Sequence, residues 1–230
     1  MNYLKRTLQT TRSTSNAVIH LATGTLPLEY EINIRQLTFL HHILNLTEDD
    51  PVMKTYHQQT KFAHEQNWAN DIKALKMKYG IQENDDDIKT MSKDRWKKAV
   101  KQKVRSHANA ELKAEAAQQK NGKKLSYPPE VCTQPYLTTL PSKQARKIFH
   151  ARSGSIDLKA CRKYMYDNDL SCRLCESTIE DVHHVVNHCS AISRDFEIDV
   201  YNTDNEHFLE MATRLMDFEE KVEELESTPA

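Results

Sequence analysis

The segment "SCRLCESTIEDVHHVVNHCS", residues 171–190, holds three of the five cysteines of the 230-residue chain and three of its eleven histidines. Cys172 and Cys175 form a C-x-x-C pair, a spacing that lets both thiolates of a tight turn reach one ion. Zn²⁺ binds four tetrahedral nitrogen or sulfur ligands, so two more ligands must come from the second half of the segment. We therefore expect a small zinc-stapled module here, because such a short piece cannot build a core of its own.

Spacing does not decide which two residues complete the site, and the candidates are His183, His184, His188 and Cys189. His184 with Cys189 gives C-x2-C-x8-H-x4-C, whereas His184 with His188 places two imidazoles at i and i+4 on one helix face. The eight-residue gap is shorter than the roughly 12 residues of a ββα finger, which favours a knuckle-like module. Four protein ligands close the coordination sphere, which indicates a structural rather than a catalytic ion.

Other readings of this segment are surface histidines beside half-buried thiols, and a redox C-x-x-C pair. The redox pair requires a βαβ context that the sequence does not indicate. Glu180 and Asp181 directly precede the histidines, where they could cap a short helix and orient an imidazole.

The remainder of the chain is predicted to be mostly α-helical. Four glycines and seven prolines are too few for a turn-rich all-β fold, and apolar residues recur at steps of three and four. We expect four segments: a helical segment at 1–60, a basic helical region at 61–127, a basic helix with the zinc module at 128–200, and an acidic amphipathic tail helix at 201–230. The apolar positions expected on three helix faces are Leu28, Ile32, Leu37, Leu40 and Leu44; Trp96, Val100, Val104, Ala108 and Leu112; and Phe208, Met211, Leu215, Phe218, Val222 and Leu225.

The net charge of -1 hides an uneven distribution. Residues 92–124 carry eleven Lys or Arg against three acids, and residues 191–230 carry twelve acids against three bases. The basic region in the middle of the chain favours contact with RNA or DNA phosphates. An ordinary solvated helix face has the same charge pattern. The candidate nucleic-acid-binding residues fall in two groups, Lys97, Lys98, Lys101, Lys103 and Arg105, and then Arg146, Lys147, Arg152 and Lys159.

Neither a membrane span nor a secretion signal is expected. No apolar run approaches the roughly 20 residues that cross a bilayer, and the first residues lack a continuous apolar core. An odd number of cysteines also argues against a disulfide framework. We therefore expect an intracellular protein, in the cytoplasm or nucleus.

Three stretches in a fixed order resemble the C-terminal region of the reverse transcriptase polyprotein of non-LTR (LINE-type) retrotransposons. They are "TRSTSNAVIHLATGTLPLEYEINIRQLTFLHHIL", "ARKIFHARSGSIDLKACRKYMYDNDLSCRLC" and "EDVHHVVNHC". They match the family's T-G-x-L-P segment with its L-H-x-I-L helix, its basic helix leading into C-x-L-C, and its E-x-x-x-H-x-x-x-x-C motif. The likeness covers roughly residues 12–189.

The resemblance implies a CCHC zinc site at Cys172, Cys175, His184 and Cys189. It also implies a role in holding template RNA or target DNA. The polymerase motif [FY]-x-D-D is absent from the sequence, and we expect neither an endonuclease domain nor catalytic activity. The alternative function is a zinc-stabilised interaction module whose acidic tail helix, residues 205–230, pairs with another helix or with a second copy.

Overall fold

The computed structural model describes residues 2–62, 66–119, 125, 127, 131–166, 169–192, 196–202 and 207–227. The described part is mostly helical, as predicted, and contains two isolated bridges, Thr23 with Thr133 and Ser171 with Ile179, in place of β-strands. In chain order the helices are α1 (Asn2–Thr7), α2 (Asn16–Thr23), α3 (Leu28–Leu44), α4 (Pro51–Lys61), α5 (Trp68–Lys78), α6 (Asp85–Thr90), α7 (Lys93–Ala117), α8 (Tyr136–Thr139), α9 (Ser142–Ser153), α10 (Val182–Asn187) and α11 (Phe208–Ser227).

Two compact units divide the chain. Unit 1 comprises Met1–Thr25 and Leu112–Ala230, and unit 2 comprises Leu26–Glu111. These bounds differ from the four consecutive segments expected from the sequence. The reason is that the N-terminal α2 joins the C-terminal half of the chain, where Ile19 and Ala22 enter the core beside α9 residues.

Unit 2 is built around α3, which packs against α4, α5 and α6. The apolar stripe predicted for α7 is buried, and the indole Nε1 of its first member, Trp96, donates to the Leu37 carbonyl at 2.9 Å. The stripe predicted for α3 is wrong at its N-terminal end, since Leu28 and Ile32 are exposed. Tyr30 and Ile34 are buried in their place, because the face of α3 that packs is rotated relative to the all-aliphatic pattern.

Unit 1 has the larger core, and the C-terminal helix supplies much of it. α11 packs against α9 and α10, and α8 packs against α9. The six apolar positions predicted for the tail helix are here called its seam. Five of them are buried in this core, whereas Leu225 is exposed. The seam is thus covered from within unit 1, so pairing with another helix through it would require α11 to leave its place.

Candidate metal centre

A small hairpin-like loop carries the first two cysteines. The bridge between Ser171 and Ile179 closes it, and the Cys172 N–H donates to the Thr178 carbonyl at 2.8 Å. The turn itself is tied by the Glu176 N–H, which donates to the Cys172 carbonyl at 2.9 Å. Glu176 has a φ of 55°, the left-handed conformation that reverses the chain directly after Cys175. The C-x-x-C spacing therefore forms the tight turn that two converging thiolates require.

Helix α10 and the turn directly after it position the other two candidate ligands, His184 and Cys189. Asp181 caps the helix by accepting from the His184 N–H at 2.8 Å, as the sequence predicted. The helix ends at Asn187. The N–H groups of His188 and Cys189 both donate to the His184 carbonyl, at 2.7 and 2.8 Å. This ending turns the Cys189 thiol to the same buried side as the imidazole of His184.

Ligand atoms of Cys172, Cys175, His184 and Cys189 lie within 4.8 Å of one another. The Sγ atoms of Cys172 and Cys189 are 3.8 Å apart, and Cys175 Sγ is 3.3 Å from His184 Nε2. A tetrahedral Zn²⁺ site with Zn–S near 2.3 Å has S···S edges of about 3.8 Å and S···N edges of about 3.5 Å. The group thus has the dimensions of a tetrahedral site, and His188 lies outside it.

The thiols of the group differ in their electrostatics. Burial acts to raise the pKa of Cys175, but hydrogen bonds with the side chain and backbone of Ser177, and then with Cys172 and His184, lower that pKa to about 6. Burial raises the pKa of Cys189 to about 12, and the charge of Cys172 adds to the rise. Several thiolates in one buried place repel one another, and a divalent cation removes that repulsion.

The imidazole of His184 is 4% exposed and its Nδ1 has no hydrogen-bond partner among the described residues. Its polar interaction is therefore through Nε2, which faces the Cys175 thiol. A metal ligand at Nε2 fits this orientation, because the nitrogen nearest the thiols is the one that would bind the ion.

An ion pair that the sequence analysis did not single out supports the loop. Glu180 is fully buried and accepts from the Arg173 guanidinium, from the Arg173 N–H at 2.8 Å and from the Lys159 N–H at 3.1 Å. Glu180 therefore holds the loop rather than an imidazole. No sequence signal pointed to it, because Arg173 and Glu180 are seven positions apart in a segment without periodicity.

The first group of basic candidates lies on the unit 2 part of α7 and is exposed throughout. At 100° per residue, four of the five fall within an arc of about 100° that adjoins the buried stripe: Lys97, Lys98, Lys101 and Arg105. None of these four forms an ion pair with any residue that the structure describes. Lys103 lies on the other side of the buried stripe and donates to the Gly80 carbonyl at 3.0 Å.

The second group lies in unit 1 and is largely engaged. Arg152 is 3% exposed, and its guanidinium donates to the carbonyls of three consecutive residues, Val200, Tyr201 and Asn202. Lys159 is buried and pairs with Asp169 at 2.8 Å. Lys147 pairs with Glu219, and Arg146 is partly exposed. Burial gives Arg152 and Lys159 structural roles and leaves neither side chain open to a phosphate.

Comparison with known proteins does not place the chain in a family: no family model, curated protein or solved structure matches it. The likeness to retrotransposon polyproteins therefore rests on the sequence motifs alone. Among the described helices, none combines the length and the apolarity needed to cross a lipid bilayer.

Proposed function

We propose that this chain is a non-catalytic, zinc-stabilised nucleic-acid-binding segment, similar to the C-terminal region of a LINE-type reverse transcriptase polyprotein. The observation that carries the proposal is the convergence of Cys172, Cys175, His184 and Cys189, whose ligand atoms lie within 4.8 Å. Three thiolates and one imidazole suit Zn²⁺ among the common divalent ions, because soft sulfur ligands and tetrahedral geometry favour it over Mg²⁺ and Ca²⁺.

Within this proposal the ion is a structural staple. Cys172, His184 and Cys189 are each at most 4% exposed, and four protein ligands leave no position for a substrate or an activated water. Zinc bound here would join the loop at 171–179 to α10, and would thereby fix the part of unit 1 in which α10 packs on α11. Thiolate ligands also need a reducing environment, which supports the expected intracellular location.

Metal analysis tests the zinc site. Purified protein should contain about one equivalent of zinc, and the Cys172→Ser/Cys175→Ser double variant should contain almost none, because two of four ligands are gone. Cys132→Ser is the matched control, since Cys132 is exposed and lies outside the group. A double variant that retains a full equivalent would refute the site.

Nucleic-acid binding is assigned to the exposed face of α7 that Lys97, Lys98, Lys101 and Arg105 form, here called the α7 basic arc. Its cations have no partner carboxylate among the described residues, so they are available to phosphates. Each phosphate contact releases condensed counterions, so four contacts predict that log affinity falls with log salt with a slope of about -2.8 to -3.6. Little sequence preference is expected, since phosphates carry no sequence information.

The test is titration of single-stranded RNA and duplex DNA at several salt concentrations. Replacing Lys97, Lys98 and Lys101 by Gln should reduce the slope by about 2 to 3, with zinc content unchanged. The control replaces Lys61, Lys73 and Lys89, which are exposed in the same unit but outside the α7 basic arc. If both triple variants lower affinity equally, the effect is one of net charge and the arc is only a solvated face.

The non-catalytic part of the proposal rests on the missing polymerase carboxylate motif and the closed ligand set. Pure protein with Mg²⁺ should incorporate no nucleotides on a primed template. Templated incorporation that a point substitution in this chain abolishes would overturn it.

A further inference from the structure

A second group of potential ligands lies at the solvent-facing side of α10, with one member in the helix, one directly after it and one in the following segment. His183, His188 and Glu197 are all exposed, and one donor atom from each lies within 4.8 Å of the others. The two imidazole rings are 4.8 Å apart between centroids and tilted by 51°. None of these residues belongs to the cysteine-containing group, although His183 and His188 are direct neighbours of two of its members.

Glu197 is held beside α10 by hydrogen bonds to the backbone of both of its neighbours. The side chain of Asn187, the last residue of α10, accepts from the Ile198 N–H at 2.8 Å and donates to the Ile198 carbonyl at 2.9 Å. The guanidinium of Arg214 donates to the carbonyls of Val186 and Phe196, both at 2.9 Å. The backbone on either side of Glu197 is thus fixed to the end of α10, so its approach to His188 is set by the core.

The distance between His188 and Glu197 fits either a loose ion pair or a shared metal ion. His188 Nε2 and Glu197 Oε1 are 3.8 Å apart, close enough for an ion pair when the imidazole is protonated but too long for a hydrogen bond. Two donors on one Zn²⁺ ion, with bonds of 2.0–2.2 Å, are separated by about 3.4 Å. The side chains are 51% and 70% exposed, so small rotations can close the remaining few tenths of an ångström. The spacing therefore suits a shared cation between the groups.

We propose that His183, His188 and Glu197 form a second, solvent-facing site for a divalent transition metal. Two imidazoles and one carboxylate favour Zn²⁺, Ni²⁺ or Cu²⁺ over Mg²⁺ and Ca²⁺, which prefer all-oxygen ligands. Three protein ligands leave at least one position for water, and the exposed ligands exchange readily with solvent. This site therefore binds a metal ion more weakly than the buried cysteine-containing group does, and a chelator should remove its ion first.

The experiment uses the full chain loaded with one equivalent of Zn²⁺, into which Ni²⁺ is titrated by calorimetry. We expect one equivalent of Ni²⁺ to bind without displacing the zinc, as followed by metal analysis after desalting. His188→Ala and Glu197→Gln should each weaken Ni²⁺ binding by about tenfold or more, while the first equivalent of Zn²⁺ stays bound. His57→Ala is the matched control, since His57 is an exposed imidazole in unit 2, far in sequence from the site.

Three results would overturn the inference. The first is the absence of Ni²⁺ binding up to millimolar concentration in the parent protein. The second is binding that neither His188→Ala nor Glu197→Gln weakens, because the ion then sits elsewhere. The third is loss of the tightly bound Zn²⁺ in His188→Ala but not in His184→Ala, which would make His188 the ligand of the buried site. Loss of Zn²⁺ in the Cys172→Ser/Cys175→Ser variant with Ni²⁺ binding retained would instead support two separate sites.

Discussion

Removing the carboxylate of Glu180 should destabilise unit 1 strongly. Glu180 is fully buried and accepts hydrogen bonds from the guanidinium and the N–H of Arg173 and from the N–H of Lys159. Glu180→Ala leaves two backbone donors and a cation, whose side chain is only 15% exposed, without this acceptor. Breaking a buried ion pair from one side costs about 3–5 kcal/mol, so we expect a loss of this size in the free energy of unfolding.

A second carboxylate near Arg173, that of Glu226, provides the control. Glu226 lies 3.5 Å from Arg173 Nη1, but its side chain is 63% exposed, and a solvent-exposed ion pair contributes less than about 1 kcal/mol. Glu226→Ala should therefore be close to the parent, and Glu180→Gln, which keeps the volume and one oxygen, should fall between the two alanine variants.

Urea unfolding of zinc-loaded protein gives the measurement, followed by far-UV circular dichroism and by zinc release to a chromogenic chelator. Both tryptophans, Trp68 and Trp96, lie in unit 2, so their fluorescence reports that unit separately. Glu180→Ala should release its zinc at a lower urea concentration than the parent protein does. If the free energies of unfolding of Glu180→Ala and Glu226→Ala differ by less than about 1 kcal/mol, the buried pair does not hold the loop.

Arg152→Met should lower the stability of unit 1 by about 2–3 kcal/mol, because three carbonyls lose their donor; unchanged stability with a smaller salt slope for RNA binding would instead make Arg152 a phosphate contact. Trp96→Ala should cost about 3–5 kcal/mol in unit 2 through the cavity it leaves, while the zinc content stays at one equivalent; loss of zinc would contradict this. Glu176→Gly should raise stability by up to about 1 kcal/mol, since glycine adopts the positive φ of this position without strain; a destabilised variant in urea unfolding would show that the side chain of Glu176 matters more than its backbone.

The sequence alone singled out the segment that holds the candidate metal centre, because the candidate ligands are close together in the chain. All four lie between residues 172 and 189, and the spacing of a turn and a one-and-a-half-turn helix is enough to bring them together. The helical character of the chain could also be predicted, because apolar residues at steps of three and four mark one face of a helix whatever that face packs against. The choice between His184 and His188 was open from spacing, and only the fold turned one imidazole inward and the other towards Glu197.

Which side chains remain available to a ligand or partner depends on tertiary packing. Lys147 meets Glu219 across 72 positions, and Arg152 meets the Val200 carbonyl across 48, so neither pairing has a trace in the local pattern. The apolar seam of the tail looked like a surface for a partner, yet α9 and α10 cover it. Periodicity shows that a face is apolar or basic but not what lies opposite it, because burial is set by groups distant in the chain that only folding brings into contact.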